Sequence, residues 1–397
     1  MSLHVLDGLL RRETIVDQFE SLIWTERFAA HGDFELVIES TSKFRSLLKP
    51  DVRLGMDGSN RVMVIDTIQD KLDDDGKKTL TIEGRDLVAC LEERIAIPTL
   101  EVILDEEGNV PTWDLTGLPG NIARFVFDWV AREGNVDVND IIPFLVEGSL
   151  YPPSTVPEPF EDVLVQLSPG TLYAVMKEIC EGFGLGFRLV KGLDDSKLYF
   201  DIYSGYDRTS SQTTYPAVLF SQNLDNLLNI TELTSVAAYK NVAYVIYKGQ
   251  TTVVYSKEVG GDITGFERRV MLVELGTVPE FTGTAPEIAA QLEEFKIKAG
   301  NDALAQQRIV SMFDGEIPTN GKYQYTIHYE LGDMVEMRTP DGLTKNMRVS
   351  ENIRVIDAEG ERSYPTLTDV LYITPGSWYA WDYNQVWDDA EGTWEEA

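Results

Sequence analysis

Alternation of apolar and polar residues near the start of the chain predicts a β-hairpin. Residues 20–28 are rich in β-formers, and beyond a short connection Phe34, Leu36 and Ile38 fall on one face of a second strand. Gly32 lies in the connection, where a five-residue turn needs a position with positive φ. One face of this hairpin is therefore expected to be buried, and the other mostly solvated.

The same kind of pattern, followed along the chain, predicts an α+β protein that is mainly β. Short strands separated by turns precede and follow a middle stretch with helical periodicity, and helices are expected to begin near Pro119, Thr171 and Thr284. The predicted parts are a first small β-barrel at 1–97, an α+β domain at 98–220, a second, similar β-barrel at 221–270 and 320–376, a helical insertion in that barrel at 271–319, and an acidic aromatic tail at 377–397.

The two β regions share a turn spacing that favours internal duplication. Asp57-Gly58 precedes Asp75-Gly76 by eighteen positions, and Asp341-Gly342 precedes Glu359-Gly360 by the same number. The flanking segments are matched as Thr79-Leu80-Thr81 with Thr366-Leu367-Thr368. Coincidence is the alternative, because such spacings are common among the turns of β-meanders.

Length and charge narrow the classes of function. A chain of 397 residues with 43% hydrophobic residues can bury the cores of roughly two to four domains. The 34 Lys+Arg against 66 Asp+Glu give a net charge of −32, which disfavours tight binding of nucleic acid and stable adhesion to anionic membranes. No signal peptide or membrane span is predicted, so the chain is expected to fold in a cytoplasm.

Residue types that carry chemistry are few. The histidines and cysteines are His4, His31, His328, Cys90 and Cys180. No nucleophile motif surrounds a histidine, and two distant cysteines in apolar contexts indicate buried thiols rather than a disulfide or a zinc site. The Gly182-x-Gly184-x-Gly186 pattern follows a helix, which is typical of a helix end and is the reverse of a dinucleotide-binding turn. We therefore predict no catalytic residue, no cofactor and no metal.

The densest aromatic cluster lies in the tail. Its members are Trp378, Tyr379, Trp381, Tyr383, Trp387 and Trp394, and acidic residues stand between them. Two interpretations remain open: a strap that packs on the body of the protein, or a docking peptide whose aromatic side chains anchor it to a basic partner.

Two stretches resemble a known family. One is Trp-Thr-Glu-Arg at 24–27 with Gly-Asp-Phe-Glu-Leu-Val at 32–37, and the other is the run 325–335, followed by an Asp-Gly turn and a Met-Arg-Val strand. With the order of parts between them, the chain up to about residue 372 resembles the siphovirus tail-hub family (baseplate hubs or minor tail proteins), which is related to contractile-phage baseplate hubs and type VI secretion spike hubs.

This resemblance implies a structural protein of the virion tail tip. Three chains, each with two similar barrels, would form a ring that closes the tail tube and lets DNA pass on ejection. The sixfold face would meet the distal tail or tail-tube protein, and the threefold face the fibre or spike proteins. Two alternatives are a tail-associated cell-wall hydrolase and a carbohydrate-binding receptor module that uses the C-terminal tryptophans.

Overall fold

The chain is mainly β with four α-helices in the part described, as the sequence predicts. The computed structural model describes residues 2–72, 74–99, 113–154, 163–192, 196–256, 263–275, 278, 281–307, 309–317, 321–339 and 342–369. The first β region contains β1 (Leu3–Leu6), β2 (Arg12–Val16), β3 (Ser21–Arg27), β4 (Asp33–Glu39), α1 (Ser42–Leu47), β5 (Arg53–Met56), β6 (Val62–Leu72) and β7 (Lys78–Asp86), and the 3₁₀ helix Leu87–Glu93 follows it.

The α+β region comes next. It contains β8 (Ile95–Ala96), β9 (Trp113–Gly117), α2 (Pro119–Phe127), β10 (Leu145–Val146), β11 (Val163–Leu167), β12 (Gly170–Thr171), α3 (Leu172–Gly182), β13 (Gly186–Lys191) and β14 (Leu198–Tyr203). The last part contains β15 (Leu219–Ser221), β16 (Leu228–Ser235), β17 (Val242–Tyr247), β18 (Gln250–Tyr255), β19 (Val270–Glu274), α4 (Ala285–Gln306), β20 (Val310–Glu316), β21 (Met334–Arg338), β22 (Thr344–Asp357) and β23 (Gly360–Asp369).

One sheet of 13 strands, which we call the main sheet, contains strands from both ends of the chain. Its order is β16-β20-β23-β22-β3-β4-β7-β6-β5-β1-β2, and β21 pairs with β22 and with β15. The long strand β22 carries β23 along one edge, and the other edge is shared by β21, over Thr344–Arg348, and β3, over Glu351–Ile356. The pairing of β3 with β22 is the seam that joins the two β regions.

The two β regions have the same strand order. The neighbours run β3-β4-β7-β6-β5 in the first region and β16-β20-β23-β22-β21 in the last, and every neighbouring pair is antiparallel. Met63 pairs with Asp86 and Met347 with Asp369, and in each case a β-bulge follows two residues later. This agreement favours duplication over coincidence.

The register corrects one detail of the predicted repeat. With Asp86 and Asp369 at equivalent positions, Thr366-Leu367-Thr368 corresponds to 83–85 and not to Thr79-Leu80-Thr81. The β6–β7 hairpin has the longer connection, and spacing counted in sequence does not register that difference. Along the described strands the hydrogen-bonded path runs from β16 to β2 without closing, so the two separate barrels of the prediction are not found as closed barrels.

The insertion lies where the first region has a short turn. β17 and β18, which the sequence pattern assigns to the second barrel, instead pair with β19 in a separate three-stranded sheet against α4. β20, predicted within the insertion, belongs to the main sheet. The insertion therefore occupies the connection between β16 and β20, at the place of the five-residue connection between β3 and β4.

The predicted helices are confirmed, with their caps. Pro119 is the first residue of α2, and the Thr171 hydroxyl accepts the Ala174 N–H at the start of α3. At the start of α4 the Thr284 N–H donates to Glu287 Oε2 at 2.6 Å. The apolar faces of α2 and α3 pack together in the core of the α+β region. In the described residues, no helix is both long and apolar enough to cross a bilayer.

Replacing Gly84 with alanine tests the close packing of the first β region. An added Cβ would lie 1.9 Å from the Val64 carbonyl oxygen and 2.7 Å from the Phe34 ring, whereas one added at Gly8 would meet nothing within 4 Å. We expect Gly84→Ala to lower the free energy of unfolding by about 1–3 kcal/mol, as overpacking does. Urea unfolding followed by tryptophan fluorescence measures this, and a midpoint equal to that of Gly8→Ala contradicts it.

Candidate functional site

Phe28, directly after β3, lies where the three regions meet. A Cβ added at Gly186 of the α+β region would lie 2.4 Å from the Phe28 ring, and one added at Gly332 of the last region 2.6 Å. The Phe28 carbonyl accepts the Phe187 N–H at 3.1 Å, and the Phe28 N–H donates to the Ser350 carbonyl at 2.9 Å. One buried aromatic residue thus contacts both other regions through its ring and its backbone. We call this place the junction.

Aromatic and cationic groups surround the Phe28 ring. Tyr203 meets it edge-on at a centroid distance of 5.1 Å, and the Arg348 guanidinium lies 4.7 Å from its centroid. Arg348 also donates to the carbonyl of Gly184, which has a φ of 66°. The glycine pattern at 182–186 therefore ends α3, as predicted, and also lets the backbone approach Phe28 and Arg348.

A buried arginine of β13 is held between two tyrosines. The Arg188 guanidinium lies 3.7 Å from the Tyr151 ring centroid and 4.1 Å from that of Tyr203. Its Nε donates to Asp201 Oδ2 at 3.2 Å, and its Nη1 lies 3.9 Å from Glu330 Oε2. Stacking and ion pairing together offset the cost of removing this charge from water.

Asp333 of the last region anchors the connection that leaves the α+β region. Its side chain is 0% exposed; Oδ2 accepts from Arg208 Nε at 2.5 Å and from the Glu330 N–H at 2.9 Å, and Oδ1 accepts the Tyr206 N–H at 2.8 Å. Burial raises the pKa of this carboxyl, and Arg208 and the two backbone N–H groups oppose the rise.

Glu26 of β3 links the first and last regions. Its Oε1 accepts the Trp24 indole N–H at 3.0 Å and the Ser59 hydroxyl at 2.6 Å, and its Oε2 accepts the Tyr325 hydroxyl at 2.8 Å. Burial and the nearby Glu26 charge raise the pKa of Tyr325 well above its ordinary value, so this phenol stays a hydrogen-bond donor. The Trp-Thr-Glu-Arg motif therefore supplies a core indole and its buried acceptor.

Two clefts open at the junction. One of about 270 Å³ is lined by Arg188, Tyr203, Tyr206 and Asp333, and one of about 230 Å³ by Glu26, Arg61 and Tyr325. The charged side chains on their walls pair with one another, as Arg188 does with Asp201 and Arg208 with Asp333. This arrangement suits the fixing of one region against another.

The residues with candidate chemistry are placed apart. His4 Nε2 lies 3.0 Å from Asp57, His31 Nε2 lies 3.5 Å from Glu92, and His328 Nδ1 accepts the Gln324 N–H at 3.0 Å. Cys90 and Cys180 are free thiols, Cys180 is buried, and burial raises the pKa of Cys90 to about 11. Within the described ranges, no cluster of three or more His, Cys, Asp or Glu side chains could hold a metal ion.

The tail residues Trp378, Tyr379, Trp381, Tyr383, Trp387 and Trp394 lie outside the described residues, so their docking role stays a prediction. Sequence reasoning did not identify the junction itself. One signal was present in the sequence, since Arg188 interrupts the apolar run Phe187–Val190 of a predicted strand.

Comparison with known proteins identifies the family. Residues 2–367 match the family model described as siphovirus ReqiPepy6 Gp37-like protein. The chain belongs to this family. The resemblance to siphovirus tail proteins seen in the sequence is thereby confirmed. No curated protein sequence matches the chain significantly.

Solved structures share the fold of this Gp37-like protein. A tail protein from Neisseria meningitidis is 12% identical, with a TM-score of 0.53, and the match covers 93% of this chain and 95% of that one. A prophage MuSo2 tail protein from Shewanella oneidensis is 14% identical, with a TM-score of 0.47 and coverage of 92% and 96%. A type VI secretion component from E. coli, described as similar to the T4 tail proteins gp27 and gp5, is 8% identical, with a TM-score of 0.44 and coverage of 96% and 79%.

Removing the cation from the Arg208–Asp333 pair tests the junction. Arg208→Met leaves a buried carboxylate without its partner, and we expect a loss of about 3–5 kcal/mol in the free energy of unfolding at neutral pH. Without Arg208 the pKa of Asp333 rises further, so the folded chain binds a proton that the unfolded chain releases. The loss should therefore shrink as pH falls toward the ordinary aspartate range and grow as pH rises.

The measurement is urea unfolding of both proteins at several pH values. Arg45→Met is the matched control, because its pair with Asp70 is on the surface and is worth at most about 1 kcal/mol. Equal losses for the two variants, or an Arg208→Met loss that does not vary with pH, would contradict the assigned role of Asp333.

Proposed function

We propose that this protein is a structural hub of the tail tip of a long-tailed bacteriophage. The observation that carries the proposal is the repeated strand order of the two β regions in a chain of a siphovirus family whose fold is shared with a tail protein. In this proposal each five-stranded unit takes the place of one of the two small β-barrels of a hub.

Symmetry gives the duplication a use. Three chains with two equivalent units each present six similar surfaces, so a homotrimeric ring can match the sixfold distal tail or tail-tube protein on one face. Its other face keeps threefold symmetry and suits a fibre or spike. The seam between β3 and β22 would hold the two units of a chain at the fixed spacing that such a ring requires.

Charge suits a conduit for DNA. With 66 acidic against 34 basic residues, the ring would repel phosphate along its channel, and the genome would pass on ejection without adhering. The protein in this account acts by assembly and not by catalysis, as a component of the virion assembled in the host cytoplasm. A neutral or basic channel wall in the assembled ring would contradict the role given to the acids.

Light scattering across a concentration series, with negative-stain images of the same sample, tests the assembly. We expect three times the mass of the chain and rings with a central opening, either for the protein alone or after mixing with the tail-tube protein of the same phage. A protein that stays monomeric under both conditions contradicts the hub.

A further inference from the structure

The three-stranded sheet of the insertion is covered on one face only. Side chains of β17–β19 alternate between the two faces, and Ala243, Val245 and Val254 form a buried cluster with Leu304 of α4. The helix lies close, because a Cβ added at Gly300 would be 2.7 Å from Val254. We call the opposite face, away from α4, the outer face.

The outer face is apolar. Tyr244 pairs in register with Val253 on one side and Leu272 on the other, so these three side chains form a row across the sheet. Val253 is 42% exposed and Leu272 is 55% exposed. Phe266, in the turn that leads to β19, is fully exposed. A contiguous apolar row that is open to solvent on a sheet is typical of a binding surface.

A cation lies over this row. The Arg268 guanidinium is 5.9 Å from the Tyr244 ring centroid and 5.5 Å from that of Tyr255, and it donates to the Tyr244 hydroxyl at 3.1 Å. Neither Arg268 nor its neighbour Arg269 forms an ion pair with any carboxylate of the described residues, although the chain has 66 acidic residues. The outer face therefore suits an occupant that is both aromatic and acidic.

One segment of the chain has that chemistry. Residues 377–397 contain no Lys or Arg, and their acidic residues are Asp382, Asp388, Asp389, Glu391, Glu395 and Glu396. Aromatic side chains stand between these acids, four of them tryptophans. We propose that the segment 377–397 binds the outer face of the insertion sheet in the same chain, with its aromatic side chains on the apolar row and its carboxylates near Arg268 and Arg269.

The topology brings the two within reach. Thr368, one residue before the end of β23, pairs with Met312 of β20, and Met312 pairs with Leu233 of β16. Neighbouring strands are about 4.8 Å apart, so Thr368 lies about 10 Å from Leu233, two residues before the insertion begins. The seven residues 370–376 can extend up to about 25 Å. Binding within one chain therefore requires no second copy, and this inference does not depend on the hub function.

Photo-crosslinking in the full-length chain tests the proposal. Leu272→p-benzoylphenylalanine places the reactive group on the outer face, and irradiation followed by digestion and mass spectrometry identifies what it touches. We expect crosslinks to residues 377–397 in the product with the mass of one chain. A crosslink to that segment only in products of two chains, crosslinks only to other residues, or none at all would overturn the proposal.

Two controls separate the contact from random collisions. Val138→p-benzoylphenylalanine, at another exposed apolar position, should give no crosslink to 377–397. In the Leu272 probe background, Arg268→Glu should reduce the crosslink several-fold, whereas Lys43→Glu, an exposed lysine of α1 in the first region, should leave it unchanged. Raising the salt concentration to about 0.5 M should also weaken it in the probe protein without the charge change. A yield that neither Arg268→Glu nor salt reduces would contradict the role of charge.

Discussion

The pairing of β3 with β22 is the constraint on which the rest of the structure depends. β22 has 14 residues, and β21 and β3 occupy successive lengths of the same edge, so two equivalent β units share one strand. Every backbone group along this edge needs a partner once it is buried. The register leaves the chain one way to continue after β3, and it places Phe28 against the glycines of both other regions.

The use of arginine follows from this geometry. Arg61, Arg188, Arg348 and Arg354 are buried at or near the contacts between regions. Arg354, for example, donates to the Gly58 carbonyl at 3.3 Å and pairs with Glu361 at 3.0 Å. Burying these cations costs solvation free energy, which stacking and ion pairing offset. Placing basic side chains inside leaves a chain of net charge −32 with a still more acidic surface, the property that the proposed conduit for DNA uses.

Local signals were predictable from the sequence. The opening hairpin follows from period-two alternation, and the three helices follow from Pro119, Thr171 and Thr284 with the apolar stripes behind them. The duplicated turns were visible because a turn needs particular residues at fixed positions.

Long-range pairing was not predictable. The strand β17 reads like any half-buried strand, and only its partners place it in the insertion and not in the main sheet. The junction was missed for the same reason, since Glu26, Arg188 and Asp333 are far apart in sequence and become a cluster through the seam.

Native-state hydrogen exchange of the amides that join β3 to β22 tests the central claim most directly. If the seam unites the two β units, these amides should exchange only through global unfolding, with the same protection free energy as the cores of both units. Seam amides that exchange through a local opening, well below the free energy of either core, would show that the two units are separate bodies and would contradict this account.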